Sequence, residues 1–339
     1  MKKRWLAASL AALMALSMTA CGSGGGSSAD QKGGSSGEKT KMTLILRGGT
    51  YAEALKASLP DFEAEHNVSI EVQELSFDDL HTGIALDATN PDGSYDLCMV
   101  DGSWMAEFTE NEVKPIAAET DKTSTYPREN IEKLFDLGVM GMVVPEEFGG
   151  AGADDLSSAI AIEELSKQCA STGDILATHN GLCCGPIIAN GTPAQKEKYL
   201  RMLTEGHKVG AFALTEPDAG SDAAKGTCVA ELQGDHYVLN GSKIFITNGY
   251  VADVFVVFAM TDKSKGTKGL SAFIIENSFP GFSVGKHEEK MGLHGSPTAE
   301  IVFTDMIVPK ENMLGREGKG FNIAMQTLDG GRIGIAAQS

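Results

Sequence analysis

Apolar residues change their spacing along this chain, and that change constrains the fold more than any other feature of the sequence. Short apolar strands alternate with helical stretches up to about residue 104. A helical period then holds from 128 to 205, and a mostly strand-like period from 236 to 308. In the first stretch, Met42 to Leu46, Val68 to Val72 and Tyr95 to Val100 read as strands. Tyr51 to Glu65 reads as a helix with Ala54, Leu55, Ser58, Leu59 and Phe62 on one face, and Asp78 to Ala88 as a second helix. Strands alternating with helices predict a parallel sheet. Helices are then predicted over Arg128 to Leu137, Asp154 to Lys167, Asp174 to Ala189 and Pro193 to Glu205. The last has a start signal of its own: Thr192 as N-cap, Pro193 first and Gln195 third. His236 to Thr247 predicts a hairpin turning at Asn240-Gly241. Val254 to Met260, Ser271 to Glu276, Phe282 to Lys286 and Glu300 to Val308 follow as strands, and Gly320 to Ser339 returns to a helical pattern.

Composition narrows the class. In 339 residues, 42 % are apolar and 22 % charged, the balance of a globular chain. With 46 acidic against 28 basic side chains the net charge is −18, which argues against a nucleic-acid partner. The seven His residues show no metal-binding spacing, so no metal site is expected. Apart from Cys21, the five cysteines (Cys98, Cys169, Cys183, Cys184 and Cys228) match neither a disulfide framework nor a zinc pattern. Gly149-Gly150-Ala151-Gly152 lacks the spacing of a dinucleotide fingerprint.

The N-terminus reads as an address. Lys2, Lys3 and Arg4 precede an uncharged stretch from Trp5 to Ala20, followed by Cys21 and a Gly/Ser tract. Met18-Thr19-Ala20-Cys21 resembles the signal of a bacterial lipoprotein. That implies a signal peptide over 1–20, lipidation of Cys21, and a flexible linker over 21–41 tethering the chain to the cell membrane. The lipid at Cys21 would be the only membrane attachment. The thiol-rich body, with its odd cysteine count, suits a reducing compartment instead.

Residues 42–107 resemble the first lobe of an extracellular solute-binding protein of a bacterial ABC importer. The residues that carry this are Leu44 to Gly49 and Tyr95-Asp96-Leu97 running into Asp101-Gly102-Ser103-Trp104. Only the beginning of such a lobe is present, so a closing cleft is not expected.

From about Phe108 onward the chain resembles an acyl-CoA dehydrogenase. The motifs are Pro145-Glu146-Glu147-Phe148-Gly149-Gly150, Ala211 to Asp222 (AFALTEPDAGSD), Gly241 to Gly249 (GSKIFITNG), Met291 to Glu300 (MGLHGSPTAE) and Leu328 to Arg332 (LDGGR), in the family's order. The fold class implied is multi-domain α+β. An incomplete α/β fragment precedes a helical domain over 108–206, a β-barrel-like middle domain over 207–319, and the start of a C-terminal helical domain over 320–339.

The activity implied is α,β-dehydrogenation of an acyl-CoA thioester with FAD as cofactor. An electron-transfer flavoprotein would be the acceptor, and the enzyme a homo-oligomer. The resemblance assigns Phe212, Leu214, Thr215, Gly220, Ser221, Phe245, Ile246 and Thr247 to the flavin. It places Ser221, Asp329, Gly330, Gly331 and Arg332 near acyl-CoA. The turn after Thr215 also has a physical rationale, because a Pro/Asp/Gly/Ser turn exposes amides that can hold phosphate oxygens. The family's catalytic carboxylate lies in sequence that would follow Ser339, so no catalytic residue is assigned. The expectation is a fusion of two gene fragments, joined near Glu107 to Val113 and inactive as it stands. The alternative is a fragment of a lipid-anchored importer binding protein.

Overall fold

The computed structural model describes residues 39–88, 94–98 and 109–339. The signal segment, Cys21, the linker up to residue 38 and the junction around Glu107 lie outside these residues. The described residues fall into two compact units, divided between Asp101 and Gly102.

The first unit is β1 (Thr40–Arg47), α1 (Thr50–His66), β2 (Val68–Leu75), α2 (Phe77–Ala88) and β3 (Leu97–Cys98). The sheet is parallel in the order β2-β1-β3, as the alternation predicts. Asp96 ties β3 to β1, because its amide donates to Thr43 O at 3.0 Å and its carboxylate accepts from Thr43 N at 2.8 Å. The inward stripe of α1 is Ala52, Leu55, Leu59 and Phe62, whereas the predicted members Ala54 and Ser58 are exposed. Spacings of three, four and three keep the observed stripe on one side of the helix, so Ala52 displaces Ala54 from it.

The second unit opens with helices: α3 (Lys114–Thr123), α4 (Arg128–Asp136), α5 (Asp155–Gln168), α6 (170–190) and α7 (193–203). Asp154 caps α5 by accepting from Ser157 N. Thr192 and Gln195 form the complete capping box at the start of α7. α6 is α-helical at both ends and π-helical over Thr178–Cys184.

Eight strands follow: β4 (Gly210–Ala213), β5 (Val229–Gln233), β6 (His236–Thr247), β7 (Val254–Met260), β8 (Leu270–Glu276), β9 (Phe282–His287), β10 (Thr298–Pro309) and β11 (Met313–Leu314). They form one sheet in the order β11-β8-β7-β5-β6-β10-β9, with β4 alongside β7. A final helix, α8 (Gly320–Gln338), closes the unit.

β7 shows why helices and sheet cannot be treated as separate bodies. Phe255, Val257 and Ala259 enter one core cluster, which reaches from Val113 to Val308. Val254, Val256, Phe258 and Met260 enter a second, with Tyr199 and Leu203 of α7 and Ile323 and Ala324 of α8. A strand buried on both faces needs no polar alternation, which is why its seven residues are an unbroken apolar run.

The hairpin at Asn240-Gly241 is not formed. His236 to Thr247 is one continuous strand, and the turn lies at Gly234-Asp235, between Gln233 and its partner His236. Gly234, at φ 67°, supplies the left-handed conformation that turn requires. Gly241 serves a close approach instead, since a Cβ there would lie 2.9 Å from Cys228 Cα. Asn240 pairs with Asp305 at a β10 bulge: its Nδ2 donates to the carboxylate at 3.1 Å, and its Oδ1 accepts from Asp305 N at 2.9 Å.

Candidate functional site

A second bulge shapes the surface on which most of the flavin-assigned residues lie. Lys243 pairs with Ile301 and Ile246 with Ala299, so Ile244 and Phe245 together stand opposite Glu300. An extra residue at a bulge re-aims the side chains around it. Lys243 and Ile246 both turn inward, while Phe245 takes φ 57° and stays 60 % exposed. The Phe245 ring thus stands out from β6 between half-buried Ile244 and buried Ile246.

Thr215 lies beside this bulge, accepting on its carbonyl from Ile244 N at 2.9 Å. Glu216 and Ala219 exchange both backbone hydrogen bonds at 3.1 Å, closing a turn with Pro217 and Asp218 at its tip. Gly220 and Ser221 follow, both exposed. Among the described residues, neither their amides nor the hydroxyls of Thr215, Ser221 and Thr247 have a hydrogen-bond partner. Phe212 is buried against Phe258, ring centroids 5.0 Å apart, and Leu214 is half-buried. Ile246 is 2 % exposed and part of the core, so its side chain does not reach the surface assigned to it from the sequence.

Beneath the loop lies a buried ion pair that the sequence reading passed over. Lys243 Nζ donates to Glu216 Oε1 at 2.6 Å and to Leu214 O at 3.0 Å. Glu216 Oε2 accepts from the amide of Thr227, from its hydroxyl at 2.9 Å, and from Cys228 N at 3.1 Å. Burial alone would raise the Glu216 carboxyl, but the Lys243 ammonium and these donors hold it below the usual range. No motif links residues 27 positions apart, and charged side chains in turns are normally read as solvated.

Asp329, Gly330, Gly331 and Arg332 lie together on α8, away from the hydroxyl-bearing loop in sequence. Asp329 and Arg332 pair at 2.9 Å on its exposed side. Gly330 and Gly331 line a cavity of about 350 Å³ between α5, α6 and α8, with Asn180 and Gly181 of the π-helical turn opposite. Asp329, Arg332 and Ser221 do not line it.

Buried polar groups brace the surroundings. His179 donates from Nε2 to Leu203 O at 3.0 Å and accepts on Nδ1 from Gly210 N at 3.0 Å, which fixes one neutral tautomer. Burial pushes its pKa down to about 4. Asp174 accepts from Ser296 Oγ at 2.6 Å, and burial raises its carboxyl. His294, of the Met291 to Glu300 motif, bridges Asp121 at 3.0 Å and Lys290 O at 2.8 Å, which is the role of a loop histidine. No cluster of His, Cys, Asp and Glu able to hold a metal occurs among the described residues.

Family models match three stretches of the chain. Residues 103–207 match the acyl-CoA dehydrogenase N-terminal domain and 211–306 the acyl-CoA dehydrogenase middle domain. The chain carries two domains of the acyl-CoA dehydrogenase family. Residues 48–140 also match the bacterial extracellular solute-binding protein family, so the two matches overlap over 103–140.

The short-chain specific acyl-CoA dehydrogenase of Clostridium acetobutylicum is 63 % identical over 233 residues, covering 69 % of this chain and 62 % of that relative. A solved structure described as the electron transferring flavoprotein of Acidaminococcus fermentans superposes with TM-score 0.69 at 55 % identity, covering 70 % of this chain and 62 % of that one. An acyl-CoA dehydrogenase from Bacillus anthracis complexed with FAD superposes with TM-score 0.64 at 39 % identity, covering 70 % of this chain and 41 % of that one. The chain thus spans about three fifths of the length of the curated relatives it matches first.

Proposed function

We propose that the second unit binds FAD on the surface of Thr215, Ser221, Phe245 and Thr247, in the service of α,β-dehydrogenation of an acyl-CoA thioester. The observation that carries this reading is the bulge at Phe245. It holds an exposed ring beside a loop in which the Gly220 and Ser221 amides and the Thr215 and Ser221 hydroxyls have no partner among the described residues. These groups fit the cofactor. Phe245 offers a face for an aromatic ring system. The Thr247 and Thr215 hydroxyls can donate to ring nitrogens and carbonyls. The free amides of Gly220 and Ser221, with the Ser221 hydroxyl, can hold pyrophosphate oxygens. Ile246 contributes through its backbone, while Phe212 and Leu214 support the site from beneath. FAD, when bound, supplies the hydride acceptor.

The cavity beside Gly330 and Gly331 would hold the acyl chain, and the exposed Asp329–Arg332 end of α8 would meet the CoA portion. Deprotonation next to the thioester needs a carboxylate in reach. Asp155 is the one carboxylate lining the cavity among the described residues, and it lies in the exposed first turn of α5, so we assign no base. An electron-transfer flavoprotein as acceptor and a homo-oligomeric state belong to the same reading. So do domain limits at 108–206, 207–319 and 320–339.

The first unit favours a second reading for its own part of the chain. Its parallel β2-β1-β3 sheet and the match at 48–140 support descent from an importer's binding protein. A lipid at Cys21 would anchor it, and the whole chain would be a fusion of the two. No helix among the described residues is long and apolar enough to cross a membrane.

The test is titration of the purified 339-residue chain with FAD, followed by flavin fluorescence and absorbance. Saturable binding is expected, weakened roughly two- to twelvefold by Phe245→Ala, since stacking on an aromatic face contributes about 0.5–1.5 kcal/mol. Absence of binding would overturn the reading. Acyl-CoA thioesters of several lengths should give no turnover above free flavin. Turnover would assign the base to a carboxylate already present.

A further inference from the structure

Glu216 and Lys243 are 2 % and 1 % exposed, the most deeply buried ion pair among the described residues. Such a pair is poor evidence of stabilisation, because the cost of desolvating two charges offsets most of their attraction. An apolar pair of similar volume could fill the same space. It could not accept two amides and a hydroxyl from Thr227 and Cys228, nor donate to Leu214 O.

These bonds meet at both ends of one loop. Leu214 and Glu216 enter it, Thr227 and Cys228 leave it, and all four are tied to the same ammonium–carboxylate pair. Lys243 sits two residues before Phe245 on β6, and its neighbour Ile244 donates to Thr215 O. One pair therefore joins the loop bearing Ser221 to the strand bearing Phe245 and Thr247. Apart from the Glu216–Ala219 turn, the bonds within the loop are slight: Lys225 N to Asp222 O at 3.1 Å and an exposed Lys225–Asp222 contact at 3.3 Å.

We infer that Glu216 and Lys243 are positioning residues. Their pair fixes the 217–226 loop against the Phe245–Thr247 strand, so that both walls of the flavin surface stand ready before the cofactor arrives. This rests on the flavin reading above. A loop in the binding geometry for only a fraction of the time weakens the apparent affinity by that fraction.

The experiment separates positioning from folding. Lys243→Met alone leaves a buried carboxylate without its cation and should lower the thermal midpoint sharply. Glu216→Leu combined with Lys243→Met removes both charges, and its midpoint should return toward that of the parent chain. The double variant should nonetheless bind FAD about tenfold more weakly or worse. In the flavin-free state its amides over 217–226 should exchange faster, a readout independent of activity. Glu216→Gln combined with Lys243→Met, which removes both charges but keeps an acceptor for Thr227 and Cys228, serves as a second variant should the first double one not fold. It should fall between the parent and the first double variant in both measurements.

Parent-like FAD affinity and parent-like loop exchange in whichever of these two variants folds would overturn the inference. The unmodified chain's own FAD affinity reports on the flavin reading alone. If it binds no FAD, both that reading and the role of the pair in flavin binding fall. Unchanged exchange in the flavin-free variants would sink the clamp whatever the flavin does.

Discussion

The two units of this chain build sheets on different scales, three strands against eight. In the first, three parallel strands pack on α1 through Leu44, Leu46, Ala52, Leu59, Val68 and Ile70, and Ile45 of β1 is buried as well, with Leu80 and Ile84 of α2. In the second, β7 and β8 are covered on both faces, and each feeds two core clusters at once. A larger core loses more per truncated side chain, because more surroundings hold the gap open. Coverage on both faces also makes the strand a shared wall, so the helices and the remaining strands should unfold together.

Phe258→Ala gives that comparison its hardest test. Phe258 is fully buried in the cluster shared with α7 and α8, and its truncation should cost about 3–5 kcal/mol. Differential scanning calorimetry should show the loss in the second unit's transition only. Leu59→Ala should instead shift only the first unit's transition. A single transition moved by both variants would break the contrast between the units.

Acid provides the next largest effect, and it should fall on the second unit. His179 is fully buried with its pKa lowered from 6.5 to about 4. Between those values the unfolded chain binds a proton that the folded chain refuses, so stability drops as pH falls through that window. A shift of this size corresponds to about 3 kcal/mol at full extent. Asp174 works in the opposite sense. Burial raises its carboxyl, so its cost is present above its folded pKa and is relieved on acidification. Urea midpoints of the second unit measured across this range should decline towards acid, and a flat profile would show that His179 does not dominate. The smallest effect sharpens the picture of α7: Thr192→Ala removes half of the capping box and should cost about 1 kcal/mol by urea unfolding.

What could be read from residues alone followed the range over which each signal acts. The Thr192 cap, the apolar run of β7 and the strand–helix alternation of the first unit are local, and each has its physical cause within a few residues. Asn240-Gly241 misled because the glycine answers a neighbour in space, Cys228, rather than a turn in the chain. β5 went unread because Glu231, Leu232 and Gln233 are all exposed and show no alternation. α3 was missed because Lys114-Pro115 resembles a break, whereas proline is well tolerated in a helix's first turn. In the candidate site, the motifs single out Thr215, Ser221, Phe245 and Thr247, whose part in flavin binding is the proposal made above. The inward turn of Ile246 depends on a bulge, and the Glu216–Lys243 pair on tertiary contact, so neither has a local signature.

The double lining of β7 also governs where this chain could be cut without opening a core. A break at the helix–sheet boundary near residue 207 would separate Tyr199 and Leu203 from Val254, Val256 and Phe258, leaving two halves with half a core apiece. Among the described residues, each core cluster draws its members from one side of the Asp101–Gly102 division. A cut at that division, unlike one near residue 207, would open none of these core clusters.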